Sequence, residues 1–566
     1  MSSLAKALSV AILMGTAGQA AAVDNGGPID RALVAIKANP VPTRYSTSDA
    51  FATRGVTIDR NGTEHVRFAR TYKGLPVIGG DLVVHSRAGT FKTASLMQAK
   101  PLSLSTTPTI TSSQAIANAG AQFGTGFDSV PTSRLVVFAR KATPTLAYDV
   151  LYTGKAKDGT PIRMHYFVNA ANGAVIAKEN AVQTGTLPGT GYGTGNPPAD
   201  PNVTPVVGTG RSLFAGVVPL DVQWNNTRRL YELKDPTRGN TNITDMGDGY
   251  RGSGGLVGIG TQVVDGDNKW GNGATTDRVS AAVDAAYGFA KTWDFYKGKF
   301  GRLGIAGDGK GATGAVHYLT KYSNAFWSND CFCMAFGDGD GVKIKPLVAI
   351  DIMGHEMTHG VTFATAGLAY VAESGGLNEA TSDIMGTMVE HFANNPSQAP
   401  NYLIGEAIYL PVAGNPPALR SMFKPSLDGI SDDCYPDGSD PAYLDFFRST
   451  GVYAGGGKDV HYTSGVGNHF FYLLAEGAVA PAGWGAGTTA NLTPDKLVCN
   501  GNVALTGIGR EAATQIWYRA LTVYMTSSTN YANARVATMS AAADLYGAGS
   551  AQQNGVAAAW DAVNVH

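Results

Sequence analysis

Charge is scarce in this sequence, and neither sign prevails. Only 15% of the 566 residues are charged, and 43 lysines and arginines stand against 44 acidic residues, for a formal net charge of −1. A chain without a basic excess has no long-range field that would attract nucleic acid or an anionic membrane. We therefore expect no nucleic-acid partner.

Cysteine is also sparse, with four residues at Cys331, Cys333, Cys434 and Cys499. Four are too few for a disulfide-rich scaffold, and their spacing does not form the paired C-x-x-C pattern of a structural zinc site. They allow one or two bridges in three different pairings, among which the sequence does not choose.

Apolar runs long enough to cross a bilayer are missing as well. Lys6 precedes a short apolar run over 7–15, and small residues follow up to an A-x-A pattern at Ala20–Ala22. This order predicts a secretory signal peptide over residues 1–22. An amphipathic N-terminal helix is less favoured because no charged residue interrupts residues 7–14. We expect a secreted, extracellular protein without a transmembrane segment.

The length predicts several folding units. Residues 23–184 have a mixed α/β pattern, with alternating stretches at Asp81–His85 and Ala147–Tyr152. Residues 185–210 are rich in glycine, proline and threonine and lack lysine, which predicts an exposed linker that proteases cut. Residues 211–345 are turn-rich and strand-like, with one helix around Ser280–Lys297.

Helical periodicity dominates the second half of the chain, where apolar residues recur at i, i+3 and i+4. The predicted helices are Pro346–Thr362, Leu377–Phe392, Gly465–Glu476, Arg510–Met525 and Ala532–Tyr546.

The first of these helices contains the segment HEMTH, from His355 to His359. A spacing of four residues places both imidazoles on one helix face, with Glu356 beside them, as in a two-point grip on a metal ion. The alternative is a helix with two solvated histidines. A catalytic zinc needs a third protein ligand and an open position for water.

A third ligand is available twenty residues further along, after a predicted turn at Ser374-Gly375-Gly376. Glu379 can face the histidine pair across two packed helices. Asp383, one turn later, can accept the other ring N–H of a ligating histidine and so fix its tautomer. Both acids are also compatible with an ordinary helix N-terminus, where the macrodipole favours negative charge.

The segment HEMTHGVTFATAGLAYVAESGGLNEATSDIMG (355–386) resembles the zinc site of the thermolysin-like neutral metallopeptidases. YSNAFW (322–327), GEAIY (405–409), LRSM (419–422), DVHYTSG (459–465) and 509–565 extend the resemblance in the expected order over roughly 208–566. It implies an α+β fold of two lobes, the first rich in strands (211–360, including the active-site helix) and the second mainly helical (361–566).

The resemblance implies roles for the matching residues. His355, His359 and Glu379 would bind one zinc, the ligand set known from thermolysin, and Glu356 would be the general base on the zinc-bound water. The implied donors to the developing oxyanion are Tyr370 and His461. Asp459 would orient His461; because Gly456 stands where thermolysin's own branch has the acid, the match is with the elastase and vibriolysin branch.

The same resemblance implies substrate contacts. Asn324 and the backbone of Ala325 would pair with the substrate main chain, and Arg420 would bind the carbonyl of the residue after the cleaved bond. Four aliphatic residues align with the pocket for that following side chain, which predicts cleavage before bulky hydrophobic residues; they are Leu347, Ile352, Ile408 and Leu419.

A structural calcium is the second implied metal. The oxygen ligands would come from Asp351, Glu390, Asn401, the carbonyl of Leu403, and Glu406. Thr387 and Leu403 stand where some relatives have acids, so we expect one calcium ion. GDGDG (337–341) has no glutamate that closes a twelve-residue calcium loop, and we interpret it as a turn.

The region before the linker also resembles known prosegments. YKGLPVIGGD (72–81) is similar to the fungalysin/thermolysin propeptide motif, over about 45–100, and residues 108–182 resemble a PepSY domain. Both imply a propeptide that assists folding and inhibits the enzyme until export. The alternative is a permanent substrate-binding module.

Together these features predict a secreted zymogen of a zinc metalloendopeptidase, monomeric, that acts on proteins and peptides. Two other functions stay open. One is a catalytically inactive binding protein of the same fold, stabilised by its metals. The other is an esterase or amidase that uses the same activated water.

Overall fold

The computed structural model describes residues 26–124, 126–182, 202–249, 260–328, 331–410, 417–439, 446 and 458–566. The predicted signal peptide and residues 185–201 of the predicted linker lie outside this range. Among the described residues, no helix is both long and apolar enough to cross a membrane.

The region predicted to be a prosegment is described over residues 26–182 and is called the prosegment below. It is built on one nine-stranded sheet with the order β5-β4-β2-β3-β6-β7-β8-β9, and β1 pairs with β2. The parallel pairing of β3 with β6 joins its two halves. The predicted alternating stretches fall on β4 and β7. The elements are α1 (Pro28–Ala38), α2 (Pro40–Thr43), β1 (Asp49–Ile58), β2 (Thr63–Tyr72), β3 (Leu75–Ile78), β4 (Leu82–Arg87), β5 (Thr90–Leu96), α3 (Ser112–Phe123), β6 (Thr132–Phe138), β7 (Thr145–Lys155), β8 (Pro161–Asn169) and β9 (Val175–Asn180).

The first lobe contains a five-stranded sheet, β16-β12-β11-β10-β17, and a six-stranded sheet, β13-β14-β18-β20-β19 with β15 on β14. β19, which begins at Ala325, is the last strand in its sheet. The elements are β10 (Val203–Arg211), β11 (Val217–Asn225), β12 (Leu230–Glu232), β13 (Lys234–Asp235), β14 (Thr241–Asp245), β15 (Thr261–Gln262), β16 (Val264–Asp265), β17 (Lys269–Trp270), α4 (Arg278–Phe300), β18 (Thr313–Val316), β19 (Ala325–Ser328), β20 (Cys333–Phe336) and α5 (Ile350–Ala364).

The end of the predicted linker is a strand. Residues 203–211 form β10 and pair with β11 along their whole length, so the prediction of an exposed linker up to residue 210 is wrong for 203–210. The segment has the proline and glycine of a linker, but its valines and threonines are β-branched residues that fit a ladder once β11 is alongside.

The second lobe is mainly helical, and its helices pack into one hydrophobic core with α4 and α5. Its elements are α6 (Ala372–Ala393), β21 (Leu403–Ile404), β22 (Arg420–Ser421), a 3-10 turn (Pro425–Asp428), α7 (Val460–Thr463), α8 (Gly465–Glu476), a second 3-10 turn (Pro494–Lys496), α9 (Arg510–Arg519), a π-helical segment (Ala520–Tyr524), α10 (Tyr531–Tyr546) and α11 (Ala551–Ala562).

Three predicted helices differ from the structure at one boundary by four residues or more. The helix predicted from Pro346 begins only at Ile350. The predicted helix 510–525 ends at Arg519 and continues as the π-helical segment. The predicted turn at 374–376 is wrong, because α6 already begins at Ala372. The glycines there serve close packing: a Cβ on Gly375 would lie 2.6 Å from Val460 Cγ1 of α7.

The four cysteines form two disulfides, Cys331–Cys333 and Cys434–Cys499. The structure thus selects one of the three pairings that the sequence left open. GDGDG (337–341) lies in a loop, where Asp340 accepts hydrogen bonds from the backbone N–H groups of 342, 343 and 344. This agrees with the predicted turn.

Candidate metal centre

The centre depends on how closely α5 crosses α6. A Cβ on Gly354 would lie 2.9 Å from the Cα of Gly386, so the two backbones approach to a distance that a larger side chain would prevent. The crossing places the histidine face of α5 directly against the acidic residues of α6.

Three side chains converge there. His355 Nε2 and His359 Nε2 lie 3.1 Å apart, and each lies 3.4 Å from a carboxylate oxygen of Glu379. All three side chains are buried. In a tetrahedral zinc site with bonds of about 2.0–2.1 Å, ligand atoms lie roughly 3.3–3.4 Å apart. The spacing, the burial and the donor set therefore fit one zinc ion.

The outer ring nitrogens of the two histidines are anchored. His355 Nδ1 lies 2.9 Å from Asp383 Oδ1, as the sequence predicted, and His359 Nδ1 lies 2.8 Å from Asn378 Oδ1. These contacts fix both rings with Nε2 toward the centre. Sequence reasoning missed Asn378, although a second ligating histidine also needs an outer partner and Asn378 directly precedes Glu379.

Charge at the centre is distributed unevenly. Burial would lower the pKa of His355, but hydrogen bonds to Asp383 and Glu379 raise it to about 10. Burial lowers the pKa of His359 to about 4. The pKa of Glu379 is depressed despite its burial, because the imidazoles around it favour the carboxylate. A cation would replace the proton between these groups.

Glu356 is buried beside the histidines without belonging to the ligand set. Its Oε2 has no hydrogen-bond partner within the described residues, and burial raises the pKa of its carboxyl group to about 7. A carboxyl group with a pKa in this range can both accept and release a proton near neutral pH.

Tyr370 and His461 lie on one side of Glu379. Tyr370 Oη donates to Glu379 Oε1 and lies 3.2 Å from His461 Nε2. Asp459 caps α7 through the backbone N–H of His461 and contacts its ring Nδ1 at 2.6 Å. Burial would lower the pKa of His461, but the carboxylates of Glu379 and Asp459 raise it.

Arg420, at the start of β22, is tied to the metal centre through Asp383. Its Nε and Nη2 donate to the two carboxylate oxygens of Asp383 at 2.7 and 2.6 Å. Asn324 precedes the edge strand β19, and its Oδ1 accepts the backbone N–H of Ala325 at 2.9 Å.

The four aliphatic residues predicted to line a pocket belong to one apolar region. Three are buried in the main core, and Leu419 packs against them; they are Leu347, Ile352, Ile408 and Leu419. Leu419 and Ile352 approach each other at Gly405, where a Cβ would lie 2.7 and 3.5 Å from their Cδ1 atoms.

The residues predicted to bind calcium form a buried acidic cluster. Asn401 donates to Glu390 through its backbone and to Glu406 through its side chain, at 3.2 and 2.9 Å. Its own Oδ1 accepts from Leu403 N, and Asp351 accepts from Gly405 N.

The carboxyl groups of this cluster disfavour one another's ionisation. Burial and the neighbouring carboxylates raise the pKa of both Glu390 and Glu406, and one buried oxygen of each has no hydrogen-bond partner within the described residues. Buried, mutually repelling carboxylates with unpartnered oxygens fit a hard cation such as Ca²⁺.

Comparisons with known proteins cover most of the chain. Residues 207–363 match the family profile described as "Thermolysin metallopeptidase, catalytic domain", and residues 366–565 match "Thermolysin metallopeptidase, alpha-helical domain". Residues 49–95 match "Fungalysin/Thermolysin Propeptide Motif". The PepSY-like assignment of 108–182 stays a prediction.

Curated relatives cover almost the same range. A "Transglutaminase-activating metalloprotease" of Streptomyces mobaraensis is 42% identical over 521 residues, which is 90% of this chain and 60% of the relative. A "Thermolysin" of Alicyclobacillus acidocaldarius subsp. acidocaldarius is 35% identical over 90% of this chain and 85% of its own length.

Among solved structures, the precursor of protealysin, a metalloproteinase from Serratia proteamaculans, is 29% identical, covers 58% of this chain and 87% of its own length, and has a TM-score of 0.41. The sequence matches span the prosegment and both lobes, and the convergent histidines and glutamate lie within them. The chain belongs to the thermolysin family of metallopeptidases.

Proposed function

We propose that this chain is the zymogen of a secreted zinc-dependent endopeptidase that cleaves peptide bonds before bulky hydrophobic residues. The observation that carries the proposal is the convergence of His355, His359 and Glu379 beside a buried acid, Glu356, whose Oε2 has no hydrogen-bond partner among the residues that the structure describes. A site that only bound metal would not need this fourth side chain.

Zinc held by these three residues would supply a Lewis acid that activates water and polarises the substrate carbonyl. Glu356 takes the proton of the attacking water and later delivers it to the leaving amine. Its raised pKa suits both steps, since the same carboxyl group must be a base first and an acid afterwards.

Tyr370 and His461 provide the donors for the negative charge that grows on the carbonyl oxygen. Tyr370 carries an O–H, and the carboxylates of Glu379 and Asp459 raise the pKa of His461, which favours its protonated, donating form. One preorganised donor of this kind contributes about 3–4 kcal/mol to the transition state.

The substrate would lie in the cleft between the lobes as an extended chain along the edge strand β19. Asn324 and Ala325 would pair with its main chain, and Arg420 would donate to the carbonyl after the cut. The aliphatic group around Ile352 and Leu419 would receive the following side chain. A difference of one methylene changes the free energy of such a pocket by about 1–3 kcal/mol, so the preference is broad.

Contacts between the prosegment and the second lobe support the proposal that the prosegment inhibits the enzyme. Glu179 of β9 accepts the backbone N–H of Tyr370 at 3.4 Å and forms an ion pair with Arg140 at 2.7 Å. Asp81 accepts both the backbone N–H and the hydroxyl of Ser527. These contacts hold the prosegment beside the proposed oxyanion donors.

A Glu356→Gln variant tests the reaction. It should retain one zinc per chain, measured by atomic absorption, while casein hydrolysis falls to background because the amide cannot accept a proton. If wild-type protein binds zinc but hydrolyses nothing, the binding-protein alternative replaces the proposal. Turnover of a small ester without casein digestion, each with and without chelator, would favour the esterase alternative.

A peptide-library digest with the mature enzyme tests the pocket. We expect cleavage before leucine, isoleucine, phenylalanine and related residues. A requirement for a basic residue on either side of the cut would contradict the pocket assignment. N-terminal sequencing of the product in the culture medium tests export and places the maturation cut, which we expect within 185–210 and before β10.

A further inference from the structure

The carboxylate of Asp383 forms hydrogen bonds with three side chains at the centre. Asp383 Oδ1 accepts from His355 Nδ1 and from Arg420 Nη2, at 2.9 and 2.6 Å. Its Oδ2 accepts from Arg420 Nε and from Asn468 Nδ2, at 2.7 and 2.8 Å. Asp383 therefore connects a proposed zinc ligand with the proposed substrate-binding arginine, and Asn468 is its third partner.

Asn468 lies on α8 and is 1% exposed. Its amide nitrogen is used on Asp383, while its Oδ1 has no hydrogen-bond partner within the described residues. A buried polar side chain placed for structural reasons alone usually has both ends satisfied. In Asn468 the amide nitrogen has a partner and the amide oxygen has none among the described residues. This indicates that the contact with Asp383 determines the position of the Asn468 side chain.

The plane of an aspartate carboxylate rotates easily, because the terminal torsion of the side chain has broad minima. Arg420 fixes one edge of the group and His355 contacts one oxygen. The amide of Asn468, on α8, donates to the other oxygen, Oδ2. A neutral donor does this without adding positive charge that would compete with His355 and Arg420 for the carboxylate.

Resting on the proposed function, we propose that Asn468 is a positioning residue of the peptidase, which orients Asp383 so that one carboxylate aligns the zinc ligand His355 and the substrate ligand Arg420 together. Loss of this contact should weaken zinc binding and substrate binding in parallel. Outer-sphere partners of zinc ligands typically change metal affinity by about 10–100-fold.

The first test measures zinc affinity, by chelator competition, in full-length protein that carries Glu356→Gln and therefore does not process itself. Asn468→Ala should lower the affinity about tenfold. Asn468→Asp, which has the same shape but places a second carboxylate beside Asp383, should lower it further. The matched control is Asn395→Ala: this buried asparagine donates to the carbonyl of Ala215, so its loss should reduce the melting temperature and leave zinc affinity unchanged.

The second test uses the active enzyme at saturating zinc. Asn468→Ala should raise KM for peptides several-fold, because Arg420 loses its alignment, and should have no further effect in an Asp383→Asn background. If Asn468→Ala behaves like Asn395→Ala, with lower stability but unchanged zinc affinity and KM, the inference is wrong. Should Asn468→Ala not fold, unchanged zinc affinity in Asn468→Asp would overturn it equally. Failure of the proposed function is distinct, since wild-type protein would then show no zinc-dependent hydrolysis.

Discussion

The molecule contains two buried histidine pairs of similar geometry and different use. In the metal centre, the rings of His355 and His359 have centroids 4.7 Å apart. In the prosegment, His65 of β2 and His85 of β4 lie directly opposite each other in the strand register, with centroids 4.9 Å apart. Burial and proximity of two imidazoles are therefore not sufficient to define a metal site.

The difference lies in the ring nitrogens. The helical pair presents two Nε2 atoms to Glu379, with both Nδ1 atoms held from outside. In the prosegment pair the two Nδ1 atoms face each other at 2.6 Å, His65 Nε2 contacts Asp59, and His85 Nε2 contacts Ser95. Two nitrogens 2.6 Å apart share one proton in a hydrogen bond. They lie closer than the roughly 3.3–3.4 Å between two ligands of a tetrahedral zinc ion, whereas the Nε2 atoms of the helical pair lie 3.1 Å apart.

Acidic residues nevertheless surround the prosegment pair, and the side chain of Arg519 lies between them as a cation. Atoms of Asp59, His65 and Asp544 lie close enough together for one metal ion, but Arg519 of α9 donates to both acids and lies 3.2 Å from His65 Nε2. Arg519 thereby ties the prosegment to the second lobe.

The largest expected effect comes from replacing one histidine of each pair and comparing the zinc content and activity of the two variants. His359→Gln should remove zinc and reduce kcat/KM by about 10³-fold or more, because the Lewis acid contributes several kcal/mol. His65→Gln in the full-length chain should leave the zinc content at one. Zinc analysis of both proteins and a peptide assay after maturation provide the measurement. If the His359→Gln protein still bound one zinc ion, the assignment of His359 as a ligand would be wrong.

Each pair also has a neighbouring tyrosine, which allows a second matched comparison. Tyr370→Phe should lower kcat about 10²-fold with little change in KM, because its hydroxyl acts on the developing oxyanion. Tyr524 stacks on His85 and donates to Asp544. Tyr524→Phe should retain wild-type kcat in the mature enzyme. Equal losses in the two variants would show that Tyr370 acts only through folding.

The prosegment pair should make the zymogen sensitive to acid. Burial lowers the pKa of both His65 and His85, so the folded state binds fewer protons than the unfolded state below the ordinary pKa of about 6.5. The stability from the pair is present above that pH and is lost as the pH falls through it. The charged groups that face the pair are Asp59, Arg67, Arg519 and Asp544.

Melting temperatures of the Glu356→Gln zymogen between pH 7.5 and 5.0 measure this effect. We expect a decline of a few °C that His85→Gln flattens, since an amide does not take up the proton. His165→Gln is the matched control, because His165 is a buried prosegment histidine that contacts Asp149. A slope in His85→Gln equal to that of the wild type would contradict the prediction.

The smallest expected effect is a gain of weak metal binding at the prosegment pair. Arg519→Ala removes the internal cation and leaves Asp59, His65 and Asp544 without it, so the full-length protein should bind a second, weak zinc ion. Titration calorimetry on the Glu356→Gln background counts the ions. Arg535→Ala, which removes an ion pair with Asp561, should keep the stoichiometry at one.

Local patterns were sufficient for much of the centre. The four-residue spacing of His355 and His359 places both rings on one helix face, and Glu379 and Asp383 share a face of the next helix. The partners that were missed, Asn378 and Asn468, have short polar side chains that are common in many settings. Their roles depend on which carboxylate or ring lies opposite, and no periodicity encodes that.

The sequence by itself therefore determined the secondary structure that carries the chemistry, because helical spacing and apolar periodicity act over a few residues. Tertiary structure decided which faces meet: the close crossing at Gly354 and Gly386, the disulfide pairing, and the ladder that makes residues 203–211 a strand. These contacts join residues that are distant in the chain, and their free energy depends on shape and burial in the assembled fold.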